Sequence, residues 1–365
     1  MRAAVRAPRV VAPGGQLTVG LPRIELPATL EVRYAGKPWR ALREKRRRRF
    51  TRLRAPGRPQ VLRFRGRGAD GKVTRVRRVR VRHLRLSAVG DINLGNGPGT
   101  AIAAYGADYP WGSVGRRLRA ADLAFGNLEC AVSTGGAAVQ KTFTFRGRPS
   151  SLRAAADRGG LDVVNLANNH AGDFGDGALL DTLRHARRFG IATVGAGRDA
   201  RRAYRPRIVR RLGLRVAFVG FSTILPFDFQ AGAADPGTAW GYPERVRAGV
   251  RRARRMGADV VVATFHWGIE RDPVEDPRER ALAQVALDAG ATAVIGAHPH
   301  VLQPIRRVGE RRLVAYSLGN FVFSAASPST ERTGILELRL ARRRVASYRF
   351  RRATIVNSRP VLVRP

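Results

Sequence analysis

From residue 84 onward, short apolar runs alternate with amphipathic helical segments, and this alternation constrains the fold most strongly. Apolar runs occupy residues 84–89, 123–125, 163–166, 191–194, 216–220, 260–264 and 293–295. Segments with helical spacing include residues 111–121, 151–158, 176–189, 243–256 and 278–289. Such alternation is typical of a largely parallel sheet covered by helices. We therefore predict an α/β domain over residues 83–365, finished by β-hairpins.

Residues 1–82 show a different pattern. Apolar and polar residues alternate in runs such as 17–19, 30–34, 61–65 and 73–81, and Pro and Gly turns separate them. Alternating runs at a spacing of about ten residues are typical of a small antiparallel sandwich. We predict an accessory all-β domain here, and none of its residues suggests catalysis.

The net charge of +41 comes almost wholly from arginine, since only four of the 68 basic residues are lysine. Such a charge favours binding of nucleic acid or another anionic polymer. The near absence of lysine favours a second interpretation, the codon bias of a GC-rich genome. Both interpretations predict nonspecific attraction of polyanions at low salt. We do not expect specific recognition of nucleic acid.

Three further observations limit the class of protein. The single cysteine, Cys130, excludes an intrachain disulfide and a zinc site built from cysteines. No apolar run reaches the roughly 18 residues of a transmembrane helix. Residues 1–8 lack the apolar stretch of a signal peptide.

Five predicted strands end in residues that can bind metals. These are Asp91, Glu129, Asn169 with His170, His266, and His298 with His300. Sites in open α/β sheets form at the carboxyl ends of strands, so we expect these side chains to converge. Each alone has an ordinary alternative, as a turn former, a helix cap or a structural histidine. Their joint occurrence favours a site, whereas His83 and His185 fit structural roles.

The mixture of carboxylate, amide and imidazole suits a divalent transition metal such as Mn, Fe or Zn. A carboxylate able to bridge, with this many further ligands, predicts two metals. Pro299 lies between two of the histidines and fixes φ near about −65°. It suits a rigid loop that directs both rings to one place.

Six motifs carry a resemblance to a known family. They are Gly90-Asp91-Ile92-Asn93-Leu94, Gly126-Asn127-Leu128-Glu129, Asn165-Leu166-Ala167-Asn168-Asn169-His170 with Asp173 and Gly175, His266-Trp267-Gly268-Ile269-Glu270, Gly296-Ala297-His298-Pro299-His300-Val301-Leu302-Gln303-Pro304, and Ser317-Leu318-Gly319-Asn320-Phe321. Their order resembles that of the CapA family, the poly-gamma-glutamate capsule biosynthesis proteins. That family is similar to calcineurin-type metallophosphoesterases.

The resemblance implies a four-layer α/β/β/α domain with a dimetal site. By position, Asp91 would bind the first metal, Glu129 would bridge, and Asn169 would bind the second metal. His266, His298 and His300 would complete the ligand set, and His170 would act as the acid or orienting group. It also implies a place at the cell envelope, with a membrane complex of capsule synthesis as a candidate partner.

Two positions depart from the metallophosphoesterase pattern, because Asn93 replaces a histidine and Asn127 replaces the usual bridging aspartate. They leave the number of metals and the substrate open. We assign Asn93, Asn127, Trp267 and Asn320 to substrate binding. Packing beneath the site is the alternative for Trp267, and bracing of the last strands is the alternative for Asn320. Lys141 and Arg146 are candidate anion contacts.

These features predict a metal-dependent hydrolase in which the metal activates water. Its substrate would be an anionic capsule polymer such as poly-gamma-glutamate, or a phosphate ester. The alternative is a non-catalytic accessory protein of capsule synthesis or export that binds a metal or a polyanion. The fold alone does not decide between them.

Overall fold

The computed structural model describes residues 4–21, 28–42 and 50–363. The chain divides into two compact units. The first contains the described residues up to Leu84 together with residues 210–215 and 340–342, and the second contains the rest. The sequence predicted a boundary after residue 82 but not the two later segments. They join the first unit through backbone bonds, such as those from Ala12 to Leu212 and from Arg342 to Pro13.

The first unit consists of strands where it is described. They are β1 (Val10–Val11), β2 (Gln16–Gly20), β3 (Ala28–Arg33), β4 (Arg40–Ala41), β5 (Phe50–Arg54), β6 (Gln60–Gly68) and β7 (Arg77–Val81). Five form a sheet in the order β1-β7-β6-β3-β4, and β2 pairs with β5. Alternate residues such as Leu30, Val32, Leu62 and Phe64 are buried, as the period-two pattern requires. The sandwich arrangement stays a prediction.

The second unit alternates strands and helices. Its strands are β8 (Leu84–Ile92), β9 (Leu123–Leu128), β10 (Ala131–Val132), β11 (Arg146–Gly147), β12 (Val163–Asn165), β13 (Ala192–Val194), β14 (Ala196–Gly197), β15 (Arg207–Arg211), β16 (Leu214–Ser222), β17 (Gly237–Thr238), β18 (Val260–His266), β19 (Ala293–Ala297), β20 (Ile305–Val308), β21 (Arg312–Ala315), β22 (Asn320–Val322), β23 (Arg332–Ala341), β24 (Arg344–Val356) and β25 (Arg359–Leu362). Its α-helices are α1 (Asn96–Tyr105), α2 (Gly115–Arg119), α3 (Pro149–Asp157), α4 (Gly175–Arg188), α5 (Ala200–Ala203), α6 (Pro243–Arg255), α7 (Pro277–Asp288) and α8 (Pro328–Glu331).

Two larger sheets organise this unit. The first has the order β13-β12-β9-β8-β23-β24-β25, with β22 also paired to β8, and the second has the order β15-β16-β18-β19-β21-β20. Parallel pairs join β8, β9, β12 and β13 in the first sheet and β16, β18, β19 and β21 in the second. Each parallel set therefore delivers several strand ends to one edge.

Apolar side chains pack both sheets against helices. One cluster joins strands of the first sheet to helices such as α3 and α4, and another joins the second sheet to α6 and α7. Phe125 of β9 stacks on Phe218 of β16, with ring centroids 5.7 Å apart. This contact connects the two sheets through their apolar faces. The mixed α/β architecture is confirmed, and the full four-layer order stays a prediction.

Two differences concern the segment after β8. Helix α1 has no signal in the sequence, because its first residues, Asn-Gly-Pro-Gly, are typical of turns. The predicted helical segment between residues 111 and 121 is shorter, with a 3₁₀ turn at Tyr109–Trp111 before α2. None of the helices in the described part of the chain is long and apolar enough to cross a membrane.

Candidate metal centre

The predicted ligands lie at the carboxyl ends of neighbouring parallel strands. Asp91 is the penultimate residue of β8 and Glu129 directly follows β9, while His266 ends β18 and His298 follows β19. Asp91 is opposite Asn127 in the first sheet, and His266 is opposite Ala297 in the second. His266 lies 3.1 Å from the Asn127 amide nitrogen, so the two sheets meet here.

The two buried carboxylates differ in their hydrogen bonds. Asp91 accepts hydrogen bonds from the Asn127 side chain at 2.8 Å and from the backbone N–H of His298 at 3.2 Å. Neither carboxylate oxygen of Glu129 has a hydrogen-bond partner, although the side chain is fully buried. A buried carboxylate without a partner is strongly destabilising unless a positive charge compensates it. The Glu129 carboxylate therefore indicates a cation at this point.

Three imidazoles surround that carboxylate. The Oε1 atom of Glu129 lies 3.5 Å from Nε2 of His266 and 3.9 Å from Nε2 of His300. Nδ1 of His298 lies 3.2 Å from Nε2 of His266. The Oδ1 atom of Asn169 is 2.9 Å from the same His266 nitrogen. Oxygen and nitrogen donors of five side chains thus face one small volume.

Three groups of donors could each hold a metal ion, with donor atoms within 4.8 Å of one another. They are Glu129 with His266 and His298, Asp91 with Glu129 and His300, and Glu270 with His298 and His300. The first two share Glu129, the residue that the resemblance implies as the bridge. Such a set of carboxylates and imidazoles suits Mn, Fe or Zn.

The pKa values of these groups reflect burial and close packing. Burial raises the pKa of Glu129 well above its usual range, and the nearby Asp91 raises it further. Burial lowers the pKa of His266 strongly and that of His298 to about 3, with neighbouring imidazoles adding to both effects. Burial opposes protonation of His300, but its contact with Asp91 outweighs this and raises its pKa. Neutral imidazoles and compensated carboxylates are the forms that bind metals.

The chain around His298 and His300 has an unusual backbone. His298 has φ 100° and His300 has φ 59°, both in the region that favours glycine. A side chain at Gly296 would meet the carbonyl oxygen of Tyr316, so this approach requires glycine. Strained backbone of this kind concentrates at functional sites. The loop places the two imidazole rings with their centroids 5.8 Å apart.

His170 is held at the edge of the centre by a separate network. Its Nδ1 atom donates to Asp173 Oδ2 at 2.6 Å, and its Nε2 atom lies 3.9 Å from Glu129 Oε1. Lys141 donates to Asp173 Oδ1 at 2.8 Å and to the Asn169 carbonyl at 2.6 Å. The ring stacks on Phe145 with centroids 3.9 Å apart. These contacts fix the ring with Nε2 directed at the proposed ligands.

The structure corrects two of the expected substrate contacts. Trp267 is 1% exposed, stacks on Phe265 and donates its indole N–H to the Tyr316 carbonyl, so it packs beneath the site. Asn127 is buried and both ends of its amide are engaged, since its oxygen accepts from Asn165 at 2.9 Å. Buried, fully bonded side chains cannot contact substrate. Asn127 instead holds Asp91 in place.

The remaining expectations divide in a similar way. Asn320 and Asn93 border a cleft of about 450 Å³ beside His300. The Asn320 oxygen accepts from Nδ1 of His300 at 2.9 Å, and the Asn93 oxygen accepts from the N–H of Gly95 at 2.7 Å. The Asn320 amide therefore braces His300, whereas the Asn93 amide braces only its own loop. Lys141 also borders this cleft and donates to Asp173 and to the Asn169 carbonyl, and its expected anion contact stays a prediction.

Arg146 points away from this network. It donates to the Gly135 and Gly136 carbonyls and lies over the Phe174 ring. Its expected anion contact therefore stays a prediction.

Sequence reasoning assigned no role to Asp173, Asn165 and Glu270. All three belong to the quoted motifs, and Asp173 stands three residues after His170. That spacing within a metal-site loop is the signal that could have identified it as the partner of the imidazole. Glu270 lies in the exposed wall of the cleft beside Arg271.

The chain is similar in sequence to a known protein family and to proteins of known name. A model of the family "Bacterial capsule synthesis protein PGA_cap" matches residues 85–325. The chain is 31% identical over 264 residues to the capsule biosynthesis protein CapA of Bacillus anthracis. It is 33% identical over 260 residues to the PGA biosynthesis protein CapA of Bacillus subtilis.

Each match includes 70% of this chain, with 64% of the B. anthracis protein and 68% of the B. subtilis protein. The chain thus spans about two thirds of the length of these relatives.

Likeness to solved structures is weaker. The NAD nucleotidase of Haemophilus influenzae has a TM-score of 0.44 and 12% identity, over 78% of this chain and 60% of that one. A value this low carries no argument. The family model spans well over half of the chain and contains all six motifs, from Asp91 to Phe321. The chain therefore belongs to the family of bacterial capsule synthesis proteins, PGA_cap.

Proposed function

We propose that this protein is a metal-dependent hydrolase that acts on an anionic capsule polymer of the poly-gamma-glutamate type. The observation that carries the proposal is the fully buried Glu129 carboxylate, which has no hydrogen-bond partner among three imidazoles. The names of the Bacillus relatives, which refer to capsule and PGA biosynthesis, support the substrate class. The same resemblance supports a place at the cell envelope and a membrane complex of capsule synthesis as partner.

The residues present fit two divalent cations. Glu129, His266 and His298 would hold one, and Asp91, Glu129 and His300 the other, since these are the two groups that share a carboxylate. Asn169 would add its amide oxygen beside His266. A divalent cation of this kind acidifies water and stabilises negative charge that develops on a substrate oxygen.

The chain's own residues supply the remaining functions. His170 would transfer a proton to the leaving group through Nε2, because Asp173 holds its Nδ1–H and fixes the tautomer. Lys141 neutralises Asp173 and ties it to the loop that carries Asn169. Arg271, exposed in the wall of the cleft, would attract carboxylates of the polymer.

The test uses purified protein, with metal content measured first. We expect at least one equivalent of a transition metal after reconstitution, and shortening of poly-gamma-glutamate that requires Mn²⁺. His170→Ala should slow that reaction by about 10²–10⁴-fold and leave the metal content unchanged. The matched control is His185→Ala, because His185 stacks on Phe189 outside the site. Equal turnover by wild type and His170→Ala would remove His170 from the mechanism.

A non-catalytic accessory role is the second candidate. A relative in Mycobacterium tuberculosis, 30% identical over 229 residues, has the name "Probable polyglutamine synthesis accessory protein". In that case the protein binds metal and polymer but shortens neither poly-gamma-glutamate nor a generic phosphate ester. The assay with Mn²⁺ distinguishes the two candidates directly.

A further inference from the structure

A second cleft, which we call the arginine cleft, lies at the opposite end of the first sheet from the metal centre. Its volume is about 400 Å³, and β8, α2, β23, β24 and β25 contribute its lining. Arg85 is the second residue of β8 and borders this cleft, six residues before Asp91 on the same strand. At roughly 3.3 Å per residue, about 20 Å of strand separate the two. The cleft is therefore distinct from the metal centre.

Arginine dominates the lining. Six arginines border the cleft, namely Arg85, Arg116, Arg117, Arg339, Arg349 and Arg351. The strand period explains this concentration, because alternate residues point to one face. That period places Arg349 and Arg351 on one face of β24. It likewise places Glu337 and Arg339 on one face of β23.

Glu337 is the only carboxylate among the lining residues of this cleft. It pairs with Arg117 at 2.6 Å and with Arg351 at 3.4 Å. Arg116, Arg339 and Arg349 form no ion pair with any carboxylate within residues 4–21, 28–42 and 50–363. Three exposed arginines therefore border one cavity without a carboxylate partner in the described part of the chain.

We propose that the arginine cleft binds a segment of a polycarboxylate chain, separately from the metal centre. The planar guanidinium group matches carboxylates in a two-point geometry, and Ser87, Ser113 and Ser347 add hydroxyl donors. Single-stranded nucleic acid needs aromatic platforms for its bases, and Tyr348 is the one aromatic residue in the lining. The chemistry therefore favours a carboxylate polymer over nucleic acid.

This inference takes its ligand class from the proposed function, but it makes a separate claim. The cleft would hold the polymer whether or not the metal centre cleaves it. Binding is therefore measured in EDTA, where no metal can contribute. Hydrolysis with Mn²⁺ is measured in parallel. If the protein does not hydrolyse the polymer, the binding measurement in EDTA still tests the arginine cleft.

The experiment compares two triple variants with the same change in charge. Arg116→Gln, Arg339→Gln and Arg349→Gln alter the cleft. Arg247→Gln, Arg251→Gln and Arg255→Gln alter exposed positions of α6 and serve as the matched control. The probe is a fluorescent poly-gamma-glutamate oligomer at about 0.15 M salt, which screens distant charges.

We expect the cleft triple to weaken binding by at least about tenfold and the α6 triple by less than about twofold. Equal losses in both triples would show that the charge acts nonspecifically and would overturn the proposal. Absence of binding by the wild-type protein in EDTA would also overturn it. The proposal would also be overturned if the wild type bound DNA more tightly than poly-gamma-glutamate and the cleft triple abolished DNA binding. The site would then recognise nucleic acid.

A folding control accompanies these measurements. Thermal unfolding of both triples should match the wild type, because the substituted side chains are exposed. If the cleft triple does not fold, Arg349→Gln alone is used. It should weaken binding by about threefold, and an unchanged affinity would overturn the proposal.

Discussion

The two ends of β8 show opposite solutions to the placement of charge. At the carboxyl end, Asp91 is fully buried and held by Asn127 and His298, next to Glu129, which has no partner. At the other end, Arg85 is exposed, as are Arg116, Arg339 and Arg349, around a cleft whose lining contains one carboxylate. We therefore expect a small cation to stabilise the first end, whereas the exposed side chains of the second stay hydrated without a ligand.

The difference shows that burial sets the free-energy cost of a charge that lacks a partner of opposite sign. A charge in the interior is strongly unfavourable without compensation, so the metal centre should bind its cation tightly and specifically. Exposed arginines remain hydrated and screened by salt, so the arginine cleft should bind weakly and through many contacts. Substitutions at the buried end should therefore have larger effects on binding than substitutions at the exposed end. Four variants test this difference.

The largest effect is expected for Glu129→Gln. Removing the shared carboxylate should weaken Mn²⁺ affinity by more than about 100-fold, because even residues behind the ligands contribute 10–100-fold. The metal-free variant should be more stable than metal-free wild type, since a buried charge disappears. Calorimetric Mn²⁺ titration and thermal unfolding in EDTA check both points. Glu244→Gln, on exposed α6, is the control, and retention of wild-type affinity by Glu129→Gln would contradict the assignment.

Asn127→Ala should have the next largest effect. This side chain donates to Asp91 and lies against His266, so its loss frees two proposed ligands. We expect metal affinity to fall by about 10–100-fold. Asn93→Ala is matched to it, because Asn93 is also buried at a strand end but binds only the N–H of Gly95. Equal losses in the two variants would mean that general loosening, rather than ligand positioning, causes the effect.

A smaller effect is expected for Asp173→Asn. The amide can no longer select the Nδ1–H tautomer of His170, so the rate of polymer hydrolysis should fall by about tenfold. Metal content should stay the same, because Asp173 belongs to none of the donor groups. Asp157→Asn, in an exposed pair on α3, is the control. If Asp173→Asn lowered the metal content as well as the hydrolysis rate, Asp173 would belong to the groups that support the metal ligands.

The smallest effect is expected at the arginine end, for Glu337→Gln. This change releases Arg117 and Arg351 from their shared carboxylate and should tighten polyglutamate binding by about two- to threefold. Unfolding free energy should change by less than about 1 kcal/mol, because the pair is partly exposed. Fluorescence titration at two salt concentrations measures the change. Weaker binding instead would show that Glu337 organises the cleft rather than competing with its ligand.

The sequence singles out the residues of the buried end and gives no signal for those of the exposed end. Aspartate, glutamate and histidine at successive strand ends stand out in a chain with only six histidines. Arginine gives no such signal here, because it makes up nearly all of the 68 basic residues. Arg349 and Arg116 become neighbours only through the pairing of strands and the position of α2, which no local pattern contains.

The role of Asn127 was beyond the sequence, because its amide holds Asp91 rather than facing substrate. Asn320 accepts from His300, which fits the bracing role that was its stated alternative. Asn93 accepts from Gly95 and borders the cleft, so its substrate contact stays a prediction. An asparagine at a strand end can face substrate, a ligand or its own loop, and the choice depends on rotamer and depth. The α/β alternation, in contrast, follows from residue period alone and was predicted within a few residues for most elements.

The hydrogen bond from His298 to Asp91 has a consequence for the assembly of the protein. The two residues are 207 positions apart, so the centre has no local precursor in the growing chain. Contacts of such long range form late, after loop closure across most of the unit. Cation capture should therefore follow folding, and cation release should accompany unfolding as one event. A substitution far from the crevice that loosens either sheet would thus reduce metal occupancy without touching a ligand.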